Sequence, residues 1–135
     1  MMQELKVEGW SKKITKVIGF DARGFIFGSI IARELGCGFV MLRKKGKVAG
    51  QNVVTVHYST EYSDDTLEMH RGLCGKDDYC LLVDDIVATG GTLNAGVRAL
   101  SEETNIVGSL CVLKVAPLWQ QAVDKLKPYK ILTLF

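Results

Sequence analysis

The sequence predicts an α/β protein: a mostly parallel sheet flanked by helices, with an inserted β-hairpin acting as a lid. Short β-branched and apolar runs alternate with segments of helical periodicity, the pattern of strands joined by covering helices. One of these runs ends in an acidic pair and a glycine-rich turn that opens a helix. Between the second and third runs lies a strand-polar-strand pattern foreign to the alternation, which reads as a hairpin.

In chain order, strands are expected at 17–20, 38–42, 79–84, 107–115 and 130–134. A helix over 25–35 is ended by Gly36, and a second over 93–102 carries apolar residues at Leu93, Val97 and Leu100. A shorter third helix over 119–125 stops before Pro128, and a partial helix is expected within 1–16. The hairpin occupies about 52–70, with strands at 53–58 and 66–69 and a long tip at 59–65. Such insertions in open sheets often close over a site. With no internal repeat or low-complexity tract, residues 1–135 read as one domain.

Composition narrows the function. The 47% hydrophobic and 24% charged fractions are those of a soluble globular chain, and its apolar stretches are too short to span a bilayer. The N-terminal residues carry no secretory or organellar pattern, so a cytoplasmic location is expected. Cys37, Cys74, Cys80 and Cys111 lack paired metal-type spacing and read as small buried hydrophobes. A net charge of +2 predicts no nucleic-acid partner, yet Arg43, Lys44, Lys45 and Lys47 are crowded together.

The chemistry is concentrated after the third core strand. Of the acidic pairs Asp64-Asp65, Asp77-Asp78 and Asp84-Asp85, the last directly follows an apolar run. Two ionised carboxylates about 4 Å apart repel by roughly 4 kcal/mol at an effective dielectric of 20, so a buried strand end holds them only with partners. Ribose hydroxyls or a hydrated Mg²⁺ are suitable partners. Ala88-Thr89-Gly90-Gly91-Thr92 then lets the backbone wrap tightly with its N–H groups inward at a helix start, a cradle for phosphate. An ordinary turn capped by Thr92 would explain the glycines alone, but not the acidic pair and two threonines at this spacing. No lysine follows the glycines and no Gly-x-Gly-x-x-Gly follows a strand, which argues against triphosphatase and dinucleotide sites.

Asp21-Ala22-Arg23-Gly24 repeats the strand-turn-helix logic. Arg23 fits either a second anion or a solvated cap position. Arg43 and Lys47 follow a strand at the end where open sheets bind ligands, and arginine can hold phosphate through two parallel bonds. Glu61 and Tyr62 fall in the lid tip, where a glutamate could move a proton once water is excluded. His57 and His70 read as ordinary strand residues, and Trp10 and Trp119 as packing residues.

Taken together, Val83 to Thr92, Asp21-Ala22-Arg23-Gly24-Phe25, Leu42 to Lys47, and Glu61-Tyr62 with Leu67-Glu68 resemble the type I phosphoribosyltransferases, most closely those acting on adenine. The resemblance runs from about residue 17 to the C-terminus. It implies a Rossmann-like fold and transfer of a phosphoribosyl group from 5-phosphoribosyl pyrophosphate to adenine, giving AMP and pyrophosphate, with Mg²⁺ on the pyrophosphate and a homodimer as the assembly. By the same resemblance, Ala88, Thr89, Gly90, Gly91 and Thr92 would hold the 5′-phosphate and Asp84 and Asp85 the ribose. Asp21, Ala22, Arg23, Gly24, Arg43 and Lys47 would bind pyrophosphate, Glu61 would assist proton movement at the purine, and Tyr62 would close with it. The family's purine-gripping N-terminal segment has no counterpart in 1–16, and Ala49 and Ser63 replace a usual proline and glycine. A ribose-phosphate-binding protein without catalysis, or a transferase for another base, are the alternatives.

Overall fold

In the computed structural model, which describes residues 1–59 and 64–135, the apolar runs become a single seven-stranded sheet. The elements are α1 (Met2–Val7), β1 (Lys16–Phe20), α2 (Gly24–Leu35), β2 (Gly38–Lys44), β3 (Val53–Ser59), β4 (Asp64–His70), β5 (Tyr79–Val87), α3 (Gly91–Leu100), β6 (Asn105–Lys114), α4 (Trp119–Leu126) and β7 (Ile131–Thr133). Their order across the sheet is β3-β4-β2-β1-β5-β6-β7. The pairs β1–β2, β1–β5, β5–β6 and β6–β7 are parallel, and the hairpin pairs are antiparallel.

Both faces of the parallel part are covered, which is why its strands read as continuous apolar runs rather than alternating ones. On one face Ile18, Val40, Leu42 and Leu82 pack with Leu93, Val97 and Leu100 of α3 and Leu126 of α4. On the other, Val17, Leu81, Val83 and Leu110 meet Ile31 and Ala32 of α2 and Leu5 of α1. The N-terminal helix is thus anchored by Leu5, which is fully buried. Trp10 and Trp119 pack against these clusters, and the four cysteines are free thiols, three buried and Cys37 partly so. Among the described residues no helix is long and apolar enough to cross a membrane.

Pairing moves several boundaries. Strand β2 continues to Lys44 because Arg43 and Lys44 pair with Glu68 and Leu67 of β4. Strand β5 continues to Val87 because Ile86 and Val87 pair with Leu113 and Lys114, so the acidic pair sits within the strand and not at its end. The expected hairpin tip at 59–65 is too long: Ser59 pairs with Asp64, leaving only residues 60–63 between the strands. Helix α3 starts at Gly91 with Gly90 as its N-cap, so Thr92 lies in the first turn and not at the cap.

Ser109, at the centre of β6, is fully buried, and its hydroxyl has no hydrogen-bond partner among the described residues. An unsatisfied buried polar group costs about 1–3 kcal/mol. Ser109→Ala is therefore expected to raise the melting temperature, by about 4 °C for a gain of about 1 kcal/mol, in a thermal melt followed by circular dichroism.

Candidate active site

The chain leaves β1 through α2 toward β2 on one side and β5 through α3 toward β6 on the other. The connections diverge between β1 and β5, and such a reversal opens a crevice beyond the carboxyl ends of the strands. A cleft of about 530 Å³ lies there. Its walls are the turn Asp21-Ala22-Arg23, Lys44 at the end of β2 and Lys47 after it, residues 84–93, and Asp65 and Leu67 from the hairpin.

Two glycines shape it. Gly90 has φ +77°, a left-handed conformation that side chains disfavour, and a Cβ there would lie 2.7 Å from Leu126 Cδ1 and 3.0 Å from Ala122 Cα. The turn therefore sits directly on α4 and aims the unpaired first-turn N–H groups of α3 at the cleft. Gly24 lets α2 approach β5, since a Cβ there would lie 2.5 Å from the Val83 carbonyl oxygen.

That approach carries Arg23 to the acidic pair, where its Nε lies 2.5 Å from Asp85 Oδ2. The partner needed by two adjacent carboxylates is thus supplied within the chain. The Asp85 N–H donates to Asp84 Oδ1 at 2.9 Å. Burial, aided by the neighbouring Asp85, pushes the Asp84 carboxyl up to about 7 from 3.8. Folded Asp84 consequently keeps a proton that the unfolded chain has already lost between about pH 4 and 7. The unfolded state binds fewer protons in that window, so the Asp84 contribution to stability falls as pH rises through it and levels off above about 7. Asp84→Asn is expected to flatten this slope and to melt higher than the wild type at pH 8; equal slopes in melts from pH 4 to 8 would contradict the assignment.

A second charge group lies across the cleft. The Asp21 carboxylate is 4% exposed, 3.4 Å from Lys47 Nζ and 3.8 Å from Arg43 Nε. It also accepts the Lys44 backbone N–H at 3.4 Å. Arg43 Nη1 donates to the Lys47 carbonyl at 2.9 Å, and the Gly46 N–H donates to Glu68 Oε2 at 2.8 Å, so β4 and Asp21 together hold the basic loop. The Asp21–Ala22 peptide is cis.

Among the residues singled out from the sequence, Asp21, Ala22, Arg23, Lys47, Asp84, Asp85 and Ala88 to Thr92 all line the cleft. Gly24 lies behind it against β5, and Arg43 turns to Asp21 and the loop backbone. Glu61 and Tyr62 lie outside the described residues. Sequence reasoning missed Asp65 and Ile86 as lining residues, named Leu67 only within a matching motif, and gave Lys44 no role of its own. Ile86 had a readable signal, its place between the acidic pair and the glycine turn, and in the structure it is exposed. Asp65 had none, because only the pairing of β4 with β2 brings this part of the hairpin there.

No group of three or more His, Cys, Asp or Glu side chains able to hold a metal occurs among the described residues. The cleft offers carboxylates and cations in two facing groups, suited to a ligand with a hydroxylated centre and an anion at each end.

Comparison with known proteins points the same way. Residues 2–133 match the phosphoribosyl transferase domain family. Adenine phosphoribosyltransferase of Photorhabdus laumondii is 41% identical in an alignment 129 positions long that covers 90% of this chain and 70% of that protein. Among solved structures, adenine phosphoribosyltransferase of Rhodothermus marinus superposes with a TM-score of 0.86 at 35% identity, over 97% of this chain and 74% of that one. The Saccharomyces cerevisiae enzyme, solved with an imino-altritol bisphosphate and adenine, gives 0.89 at 31% identity, over 99% and 74%.

Proposed function

This chain belongs to the phosphoribosyl transferase domain family, and from that premise we propose that it transfers the 5-phosphoribosyl group of 5-phosphoribosyl pyrophosphate to adenine, forming AMP and pyrophosphate in purine salvage. One observation carries the reading: the acidic pair with its glycine turn faces the Asp21, Lys44 and Lys47 group across one cleft. That arrangement supports a donor with a phosphate at one end and a pyrophosphate at the other. The adenine phosphoribosyltransferases named above support adenine as the acceptor.

In this reading the N–H groups of Ala88 to Thr92 and the hydroxyls of Thr89 and Thr92 bind the 5′-phosphate. Asp84 and Asp85 accept from the ribose hydroxyls. Ala22, Arg23, Gly24, Arg43 and Lys47, with Asp21 holding the basic loop in place, take the pyrophosphate. As the bond from C1 of the ribose to the pyrophosphate oxygen breaks, the electron pair leaves with pyrophosphate, and a purine ring nitrogen forms the new bond at C1. The ribose is cationic in between, so neutralising the leaving group lowers the barrier most. Holding acceptor and donor in line contributes several kcal/mol more, roughly 7 at least in well-oriented cases. Glu61 would take the proton the purine loses, and the hairpin with Tyr62 would exclude water.

Mg²⁺ fits the donor set, because it commonly takes one or two carboxylates and completes its shell with water and substrate phosphates. Bound there, it would offset the charge of the departing pyrophosphate. We read residues 1–135 as one catalytic domain with its lid at about 52–70, working in the cytoplasm as a homodimer. Ile26 and Ile30, each more than half exposed on α2, give a second copy an apolar surface to cover. A sedimentation mass of 14.9 kDa, that of one chain, would remove the dimer.

The test is conversion of radiolabelled adenine to AMP with the donor and Mg²⁺. Wild type should form AMP and Glu61→Gln should form it about 10²–10⁴ times more slowly. Failure of the wild type to exceed an enzyme-free control would sink the proposal.

A further inference from the structure

The two charge groups of the cleft are tied together by one side chain. Asp21 pairs with Arg43 and Lys47 on the β2 side. Arg23 belongs by chain position to that side, yet its guanidinium crosses to Asp85, at 2.5 Å. The backbone of Arg23 is fixed, because it caps α2 where Gly24 lies against β5. The side chain beyond is 71% exposed, whereas Asp85 is 21% exposed.

We propose that Arg23 is a specificity-determining residue that makes the ribose end of the cleft answer to pyrophosphate. Paired with Asp85, Arg23 competes with ribose hydroxyls for it. A pyrophosphate group carries more negative charge than one carboxylate, so it draws the Arg23 cation across. Asp85 is then released to accept from the ribose. A sugar phosphate without pyrophosphate must break the ion pair with nothing to receive the arginine. The chain thereby favours 5-phosphoribosyl pyrophosphate over ribose 5-phosphate, which shares every group at the Asp85 end. This rests on the phosphoribosyl reading of the cleft.

Linkage fixes the form of the effect. Pyrophosphate must tighten ribose 5-phosphate by the same factor as ribose 5-phosphate tightens pyrophosphate. A solvent-exposed ion pair sets the size at about fivefold. Two anions in one cleft would otherwise oppose each other, so tightening has the opposite sign to simple repulsion.

Calorimetric titration of ribose 5-phosphate, with and without pyrophosphate and Mg²⁺, tests it on wild type, Arg23→Met and Arg23→Lys. In wild type, pyrophosphate should tighten ribose 5-phosphate about fivefold. Arg23→Met should bind ribose 5-phosphate about fivefold tighter than wild type without pyrophosphate, and gain nothing when it is added. Arg23→Lys keeps the charge and should keep the response, which a purely structural role of the position would not preserve. An Arg23→Met chain that binds ribose 5-phosphate no tighter than wild type, or that keeps the full response, overturns the inference, as does loss of the response in Arg23→Lys. Should wild type bind neither ribose 5-phosphate nor AMP, the phosphoribosyl reading itself fails, and that outcome is distinct from the others.

Discussion

Asp84→Asn/Asp85→Asn should lower kcat/KM for the donor by about 10³-fold while leaving the chain folded. Each carboxylate would accept a ribose hydroxyl in a charge-assisted hydrogen bond worth about 1.5–3 kcal/mol, so removing two costs about 3–6 kcal/mol of binding. Asn preserves shape and one acceptor but not charge. The fold should tolerate it, because burial disfavours the charged form of Asp84 and the exchange ends its repulsion with Asp85. Arg23 loses its partner but is largely exposed and can turn to water. Donor-saturation kinetics beside a thermal melt separate the effects. Unchanged donor affinity in a well-folded variant would remove these residues from the site.

Gly90→Ala combines two penalties at one position. Left-handed backbone costs an L residue about 1–2 kcal/mol. The new methyl would meet Leu126 Cδ1 at 2.7 Å and the Ala122 backbone at 3.0 Å, and such overpacking costs a further 1–3 kcal/mol or so. A total of about 3 kcal/mol should lower the melting temperature by about 12 °C. If the turn moves off α4 to relieve the contact, its N–H groups move with it, so KM for the donor should rise at least tenfold. A melt within 2 °C or so of wild type would show that the turn does not depend on this packing.

Such close dependence explains which parts of the site were legible in the sequence. The phosphate cradle is local: Asp84, Asp85 and the glycine turn follow one another, and strand, turn and helix start are written in consecutive residues. The parallel core was equally readable, because strands buried on both faces, such as β1 with Val17 and Ile18, are apolar throughout. Strand ends were not, since Lys44 and Val87 are in strands only through their partners. The pairing of Arg23 with Asp85 links residues far apart in the chain and depends on Gly24 lying against β5. Charge counting showed that the acidic pair needed a partner, but not that the partner would be an arginine from the turn after β1. Asp65 and Leu67 entered the cleft for a similar reason, carried there by a hairpin docked on β2.

The central claim is that the two halves of the cleft act on one donor and pass its sugar to adenine. Phosphorus NMR of 5-phosphoribosyl pyrophosphate incubated with the chain, Mg²⁺ and adenine follows every phosphorus of the reaction at once. Loss of the donor resonances with equal gains in free pyrophosphate and AMP, and no loss without adenine, is the predicted result. Donor resonances that stay unchanged, or pyrophosphate released without AMP, would contradict it.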